Sequence, residues 1–233
     1  MLENVRAIAF DLDNTLWDIE PVLARAEQRL FEWMRRHCPR IPDQISVDEM
    51  RAARTELARE EPDKAHDVTY LRTATLARHA RECGYGEEIA ASAFEVFFAA
   101  RNDLLPFADV RPALERLQAR YTLATLSNGN ADLARIGLAD LFALSLNAGQ
   151  IGAAKPHPGC FERLSRELGL DPQVILYVGD DPLLDVEAAR SSGLRTAWIN
   201  RNGVRWPPHL PMADLSVADC RALADHLESG RAA

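Results

Sequence analysis

Two carboxylates one residue apart, Asp11 and Asp13, with a threonine two further on at Thr15, close the stretch Val5-Arg6-Ala7-Ile8-Ala9-Phe10. Five of those six leading residues are apolar, which suits a strand buried on both faces of a sheet. Charge is costly inside a sheet, so Asp11 and Asp13 belong where the strand ends. In an open α/β sheet, the carboxyl end of a central strand is where ligands bind. Alternate residues of a strand point the same way, so both carboxylates reach one site if the extended form persists that far. Two like charges this close repel, and a hard cation with oxygen ligands, such as Mg²⁺, is the simplest remedy. The bland alternative is a capped turn, in which Asp13, Asn14 and Thr15 open a helix.

Two further apolar runs end in the same way. Tyr121-Thr122-Leu123-Ala124-Thr125-Leu126 leads into the polar turn Ser127-Asn128-Gly129-Asn130. Val174-Ile175-Leu176-Tyr177-Val178 leads into Gly179-Asp180-Asp181-Pro182-Leu183-Leu184-Asp185. Between them, Lys155-Pro156-His157-Pro158 precedes a helical pattern over 159–168. A short strand over 142–146 and another over 195–199 complete the alternation with helices over 109–119, 133–138, up to 191 and 219–228. Strands alternating with helices predict an α/β fold with a doubly wound parallel sheet. In such a sheet the strand ends lie along one edge, so distant segments converge on one pocket. A capped turn explains each polar cluster singly, but not why all of them fall at the same end of their strands.

From about Trp17 to Leu105 only helical patterns occur. A helix starts near Pro21 with Leu23, Ala26, Leu30, Trp33 and Met34 at helical spacing. Ser46 with Glu49 is a capping-box pattern that opens a second helix toward Glu60. A third runs over 67–83 and stops at Gly84, and a fourth covers 87–102. Four helices between one strand and the next read as an inserted helical bundle. The expected division is therefore 1–16 with 106–233 as the α/β core, and 17–105 as the insert.

Composition narrows the function classes. The 233 residues carry a formal net charge of −8, which argues against nucleic acid and anionic membranes as main partners. The four cysteines, Cys38, Cys83, Cys160 and Cys220, form no C-x-x-C pair, so free thiols in a reducing cytoplasm are expected. Met1-Leu2-Glu3-Asn4 runs straight into the first strand, leaving no room for a signal peptide. No apolar run approaches the ~20 residues that span a bilayer. The sequence sets no oligomeric state.

This order of motifs resembles the haloacid dehalogenase superfamily, mostly Mg²⁺-dependent phosphatases. The matching segments are Asp11-Leu12-Asp13-Asn14-Thr15, Ser127 closing an apolar strand, Lys155-Pro156, and Gly179-Asp180-Asp181 with Asp185. The insert resembles the family's helical C1 cap, and the core its Rossmann-like fold. Leu184 stands where an Asn often precedes the last acid. The stretches Asp11 to Asp18, His66-Asp67-Val68-Thr69, Ser127 to Asn130 and Val178 to Asp181 look like the bacterial flavin-mononucleotide phosphatase branch, whose members also act on 5-amino-6-(5-phospho-D-ribitylamino)uracil.

The resemblance implies a small-molecule phosphate ester as substrate and a set of roles. Asp11 is the nucleophile and Asp13 the general acid and base. Mg²⁺ is held by the Asp11 carboxylate, the Asp13 carbonyl and Asp180. Asp181 and Asp185 hold the ion's waters or orient Lys155, with Asp185 the better candidate. Ser127 and the Asn128 N–H bind phosphoryl oxygens, Lys155 neutralises charge, and Thr15 steadies the Asp13 loop. Each has a plainer reading: Lys155 as a surface lysine, Ser127 as a turn cap, Asp185 as a helix-start acid. His66, Tyr70 and Arg72 in the insert either contact substrate or, as the favoured expectation, are solvated helix residues; Trp17 either gates the hinge or packs there, and His157 and Cys160 are structural. Rival functions on the same fold are a haloacid dehalogenase, which has no use for Asp13, a phosphomutase, and a non-catalytic binding module.

Overall fold

The computed structural model describes residue 2 and residues 4–229; residues 1, 3 and 230–233, which the expected core includes, lie outside it. Among the described residues, six strands form one sheet in the order β3-β2-β1-β4-β5-β6. They are β1 (Ala7–Phe10), β2 (Thr122–Ser127), β3 (Leu144–Asn147), β4 (Ile175–Gly179), β5 (Arg195–Ile199) and β6 (Leu215–Val217). All pairings are parallel. Every residue of β1 is buried, as its apolar run requires. The strand order turns back on itself between β1 and β4, the position at which an open sheet of this kind forms a crevice at its carboxyl edge.

The chain forms two compact units. One comprises residues up to Asp18, Leu105–Gly129 and the chain from Leu133 onward; the other comprises Ile19–Leu104 and Asn130–Asp132. The segment 130–132 therefore belongs with the helical unit, although in sequence it continues the turn after β2. Side-chain bonds account for this. Asn130 Nδ2 donates to Thr69 Oγ1 at 3.0 Å, and the Asp132 N–H donates to Asn102 Oδ1 at 2.8 Å.

The helical unit contains α1 (Glu20–His37), α2 (Arg40–Gln44), α3 (Val47–Glu60), α4 (Val68–Glu82) and α5 (Ile89–Asn102). Ser46 and Glu49 form the reciprocal capping box at the start of α3. Asp67 caps α4 by accepting from the Tyr70 N–H at 2.9 Å. Gly84, in the left-handed region at φ 73°, follows its end. The apolar stripes of α1, α4 and α5 meet around Ala26, Leu30, Leu76, Ala93 and Phe97. The sequence pattern gave four helices; α2 is a fifth. At five residues it is too short to show a period, and Pro42 in its first turn reads locally as a breaker.

The other unit carries α6 (Val110–Gln118), α7 (Leu133–Ile136), α8 (Ala148–Ile151), α9 (Pro158–Leu168), α10 (Ala188–Ser191) and α11 (Cys220–Ser229). The expected helix up to Ser191 differs at its start, where Pro182–Glu187 is a π-helical turn. No described helix is long and apolar enough to cross a membrane. All four cysteines are free and buried.

Candidate active site

The ladder of β1 runs one residue past the strand, because the Asp11 N–H donates to the Val178 carbonyl at 2.8 Å. Asp11 is thus held in extended form at the crevice, and it is buried. The chain then turns sharply. Asn14 takes a left-handed φ of 64°, which asparagine tolerates better than most residues, and its N–H donates to the Trp17 carbonyl at 2.7 Å. Trp17 is fully buried, and its indole N–H donates to Asp13 Oδ1 at 2.8 Å. The side chain read as gating or packing therefore fixes the Asp13 carboxylate.

The resemblance has Thr15 steadying the Asp13 loop. Its hydroxyl lies 3.1 Å from Asp180 Oδ1 and 3.4 Å from Asp11 Oδ2, so it sits between two acids from different strand ends. Its carbonyl accepts from Arg201 Nε at 3.0 Å. The carbonyl of Asp180 is fixed from β5, by the Trp198 indole N–H at 2.8 Å.

Lys155 is not a surface lysine; it is 5% exposed. Its ammonium donates to Asp11 Oδ1 at 2.6 Å, to Asp185 Oδ1 at 2.6 Å and to the Tyr177 hydroxyl at 2.8 Å. Burial disfavours its charge, but Asp11 and Asp185 more than offset this and hold the ammonium well above the usual lysine range. Its backbone is clamped by Asn128, whose side chain accepts from the Lys155 N–H at 2.7 Å and donates to its carbonyl at 2.9 Å. Ser127 Oγ accepts from the Gly129 N–H at 3.0 Å, the turn-capping contact.

The last acids divide the work. Asp185 is 2% exposed, and its second oxygen accepts from the Asp181 N–H at 3.0 Å. It comes so close to the strand end that a Cβ on Gly179 would lie 2.2 Å from its Oδ2. The Asp181 carboxylate instead caps the π turn, accepting from the N–H groups of Leu183 and Leu184 at 2.7 and 2.8 Å. The structure thus puts Asp185, not Asp181, on Lys155. His157 caps α9 by accepting from the Gly159 N–H, and Cys160 is buried.

Sequence reasoning missed Tyr177, taken as a strand residue. A tyrosine in a fully buried strand must find a partner for its hydroxyl, and that is the signal that was available. It also misjudged Arg72, expected to be solvated. The Arg72 side chain is 12% exposed, lies over the Phe97 ring at 3.5 Å and pairs with Glu27 at 3.8 Å. Tyr70 donates to Glu61 at 2.6 Å.

Asp11, Asp180 and Asp185 each place a carboxylate oxygen within 4.8 Å of the others. Burial pushes Asp180 up to about 6, helped by the charge of Asp185 and opposed by the Thr15 hydroxyl. Burial pushes Asp11 up as well, against the pull of Lys155. Several acids facing one ammonium are short of positive charge, and an all-oxygen donor set suits a hard divalent cation. The residues present therefore fit such an ion, which the Asp11, Asp180 and Asp185 cluster could hold.

A family profile for haloacid dehalogenase-like hydrolases matches residues 5–193. The chain is 30% identical over 227 residues to the 5-amino-6-(5-phospho-D-ribitylamino)uracil phosphatase YigB of Escherichia coli, covering 92% of this chain and 95% of that protein. It is 29% identical to a (S)-2-haloacid dehalogenase of a Pseudomonas species, covering 98% of this chain and 97% of that one. Among solved structures, a 2-haloacid dehalogenase from Pseudomonas syringae superposes with a TM-score of 0.92 at 33% identity, covering 97% of this chain and 99% of that one. Strand-end acids, buried lysine, sheet order and sequence agree, and the chain belongs to the haloacid dehalogenase-like hydrolases.

Proposed function

We propose that the chain is a Mg²⁺-dependent phosphomonoester hydrolase working through an aspartyl-phosphate. Its best substrate candidates are flavin mononucleotide and 5-amino-6-(5-phospho-D-ribitylamino)uracil. The observation that carries this reading is the surplus of carboxylate around one ammonium: Asp11, Asp180 and Asp185 converge, and among the described residues only Lys155 answers them. Asp13 is the second support, because attack on a phosphate ester needs an acid for the leaving alkoxide. The likeness to YigB supports the substrate class.

The chemistry assigns each residue a task. A carboxylate approaching a phosphate dianion is repelled by about 4 kcal/mol per charge pair at 4 Å and an effective dielectric of 20, roughly a thousandfold in rate. Lys155 offsets part of this. A divalent ion held by Asp11, Asp180 and the Asp13 carbonyl would supply the remaining charge neutralisation when bound. Asp11 attacks phosphorus, the phosphorus–oxygen bond to the alcohol breaks, and Asp13 gives the leaving alkoxide a proton. Asp13 then takes a proton from water as that water attacks the aspartyl-phosphate, and Asp11 is released with inorganic phosphate. Ser127 and the Asn128 N–H bind phosphoryl oxygens in both steps. The plain test is phosphate release from p-nitrophenyl phosphate, flavin mononucleotide and the ribitylaminouracil phosphate, with and without Mg²⁺, by wild type and Asp11→Asn. Activity in Asp11→Asn would falsify the nucleophile assignment.

A second reading, hydrolysis of a carbon–halogen bond by the same Asp11, is favoured by the likeness to the two haloacid dehalogenases. Halide release from 2-chloropropionate that survives EDTA, with no phosphate release from any ester, would put this reading first.

A further inference from the structure

Tyr177 stands in β4 opposite Ala9 of β1, and Ala9 stands opposite Ala124 of β2. The Tyr177 hydroxyl nevertheless donates to the Leu126 carbonyl, on β2, at 2.8 Å. Its ring therefore passes across β1 to reach the strand beyond. Paired residues of neighbouring strands face the same side, so a methyl group at Ala9 leaves that path open where a larger side chain would block it. Phe161 closes the ring in edge-on at 5.2 Å between centroids.

The direction of the hydrogen bonds follows. A carbonyl only accepts, so the hydroxyl proton is committed to Leu126. What remains toward Lys155 is a lone pair, which the ammonium meets at 2.8 Å. Asp11 and Asp185 take its other two N–H bonds. Of these three acceptors, Asp11 is the one that gives up its charge on attack. Asp185 and Tyr177 are left to hold the ammonium while Asp11 is esterified.

We infer that Tyr177 is a positioning residue for phosphoryl transfer: a neutral acceptor, tied across β1 to β2, that keeps the Lys155 ammonium aimed at the reacting group while the charge on Asp11 is consumed and restored. The role in turnover rests on the phosphatase reading above; the tie between Tyr177 and Lys155 does not.

The test uses the full chain as wild type and Tyr177→Phe, which keeps the ring and removes the acceptor. With p-nitrophenyl phosphate and Mg²⁺, kcat is expected to fall about tenfold, the rate equivalent of one lost hydrogen bond, with KM changed less than about twofold. Without substrate, the Lys155 ammonium protons are expected in slow exchange in a ¹H–¹⁵N spectrum of the wild type and in faster exchange in Tyr177→Phe. Unchanged kcat together with an unchanged ammonium signal overturns the inference. So does fast exchange in the wild type, which needs no variant to fold. If the wild type releases no phosphate, the phosphatase reading has failed, and the ammonium spectrum still decides the tie.

Discussion

Gly179 ends β4 with no side chain, and a Cβ there would lie 2.2 Å from Asp185 Oδ2 and 2.3 Å from its carboxyl carbon. The glycine is needed for space, because Asp185 packs against the strand end to reach Lys155 at 2.6 Å. Gly179→Ala should push Asp185 off the lysine. We expect overpacking to cost about 1–3 kcal/mol of stability. Turnover should fall by ~10²-fold as the Lys155 ammonium loses a fixed partner. Urea unfolding and phosphate release, measured on the same preparation, check both. A variant as active as wild type would show that the Asp185 contact does not matter to catalysis.

On the proposed ligand set, Asp180 gives cation binding a pH dependence. Burial and then Asp185 raise it from its ordinary value of 3.8 to about 6. The folded chain therefore binds a proton that the unfolded chain has released, and this group's stabilising contribution is present below pH 3.8 and lost as pH rises through about 6. A cation must displace that proton. Apparent Mg²⁺ affinity is expected to rise with pH through this range and to weaken about tenfold per unit below it. The shift of the thermal midpoint by Mg²⁺, followed from about pH 5 to pH 7, measures this. A shift independent of pH would remove Asp180 from the ligand set.

Much of this site was legible because burial forbids isolated charge. Asp11 and Asp180 follow unbroken apolar runs, so their place at strand ends followed from the residues alone. Lys155 was legible only through its order among the other motifs, since a lysine before a proline has no local signature of burial. Tyr177 looks like any aromatic strand residue; its role depends on Ala9, two strands' worth of packing and a carbonyl that no sequence pattern marks. Strand β6 is three residues long and only partly buried, too short for a period. Asp185 was already the better candidate of the last two acids, and the π turn supplies the physical reason: Asp181 caps it while Asp185 meets the lysine.

Glu27 holds the helical unit together electrostatically. It is nearly buried, and it accepts from Arg54 Nη2 at 2.9 Å and Arg51 Nε at 2.8 Å, with Arg72 Nη2 at 3.8 Å. Arg51 also has Asp48, at 3.0 Å. Arg72 has only Glu27 as an ionic partner among the described residues, and burial, with Arg54 beside it, pushes it down to about 9. Removing the carboxylate leaves two mostly buried guanidinium groups facing each other. Glu27→Gln should cost about 3 kcal/mol. Glu56→Gln, which breaks the exposed pair with Arg59, should cost less than about 1 kcal/mol. Urea midpoints compare the two, and equal losses would refute the argument.

Arg201 fastens both flanks of the insertion to the sheet unit. Its fork donates to both oxygens of Asp109 at 3.0 Å, its Nε donates to the Thr15 carbonyl at 3.0 Å, and its guanidinium lies over the Phe107 ring at 4.0 Å. Thr15 precedes the helical insertion and Phe107 follows it, and the Phe107 N–H donates to the Leu16 carbonyl at 2.9 Å. Burial would raise the Asp109 carboxyl, but the hydrogen bonds and charge of Arg201 outweigh it and hold it below its ordinary value. Its stabilising contribution is therefore present above pH 3.8 and lost as pH falls through the depressed value. Lysine cannot make this three-pronged contact, so Arg201→Lys should already destabilise, by about 1.5–3 kcal/mol. Arg201→Met, which strands the Asp109 charge, should cost about 3–5 kcal/mol at neutral pH and progressively less in acid as Asp109 protonates. Urea unfolding of both variants from about pH 7 to pH 3 tests the size and the sign together. A loss that stays constant with pH would mean that the ring stacking and the Thr15 bond, and not the ion pair, carry the clamp.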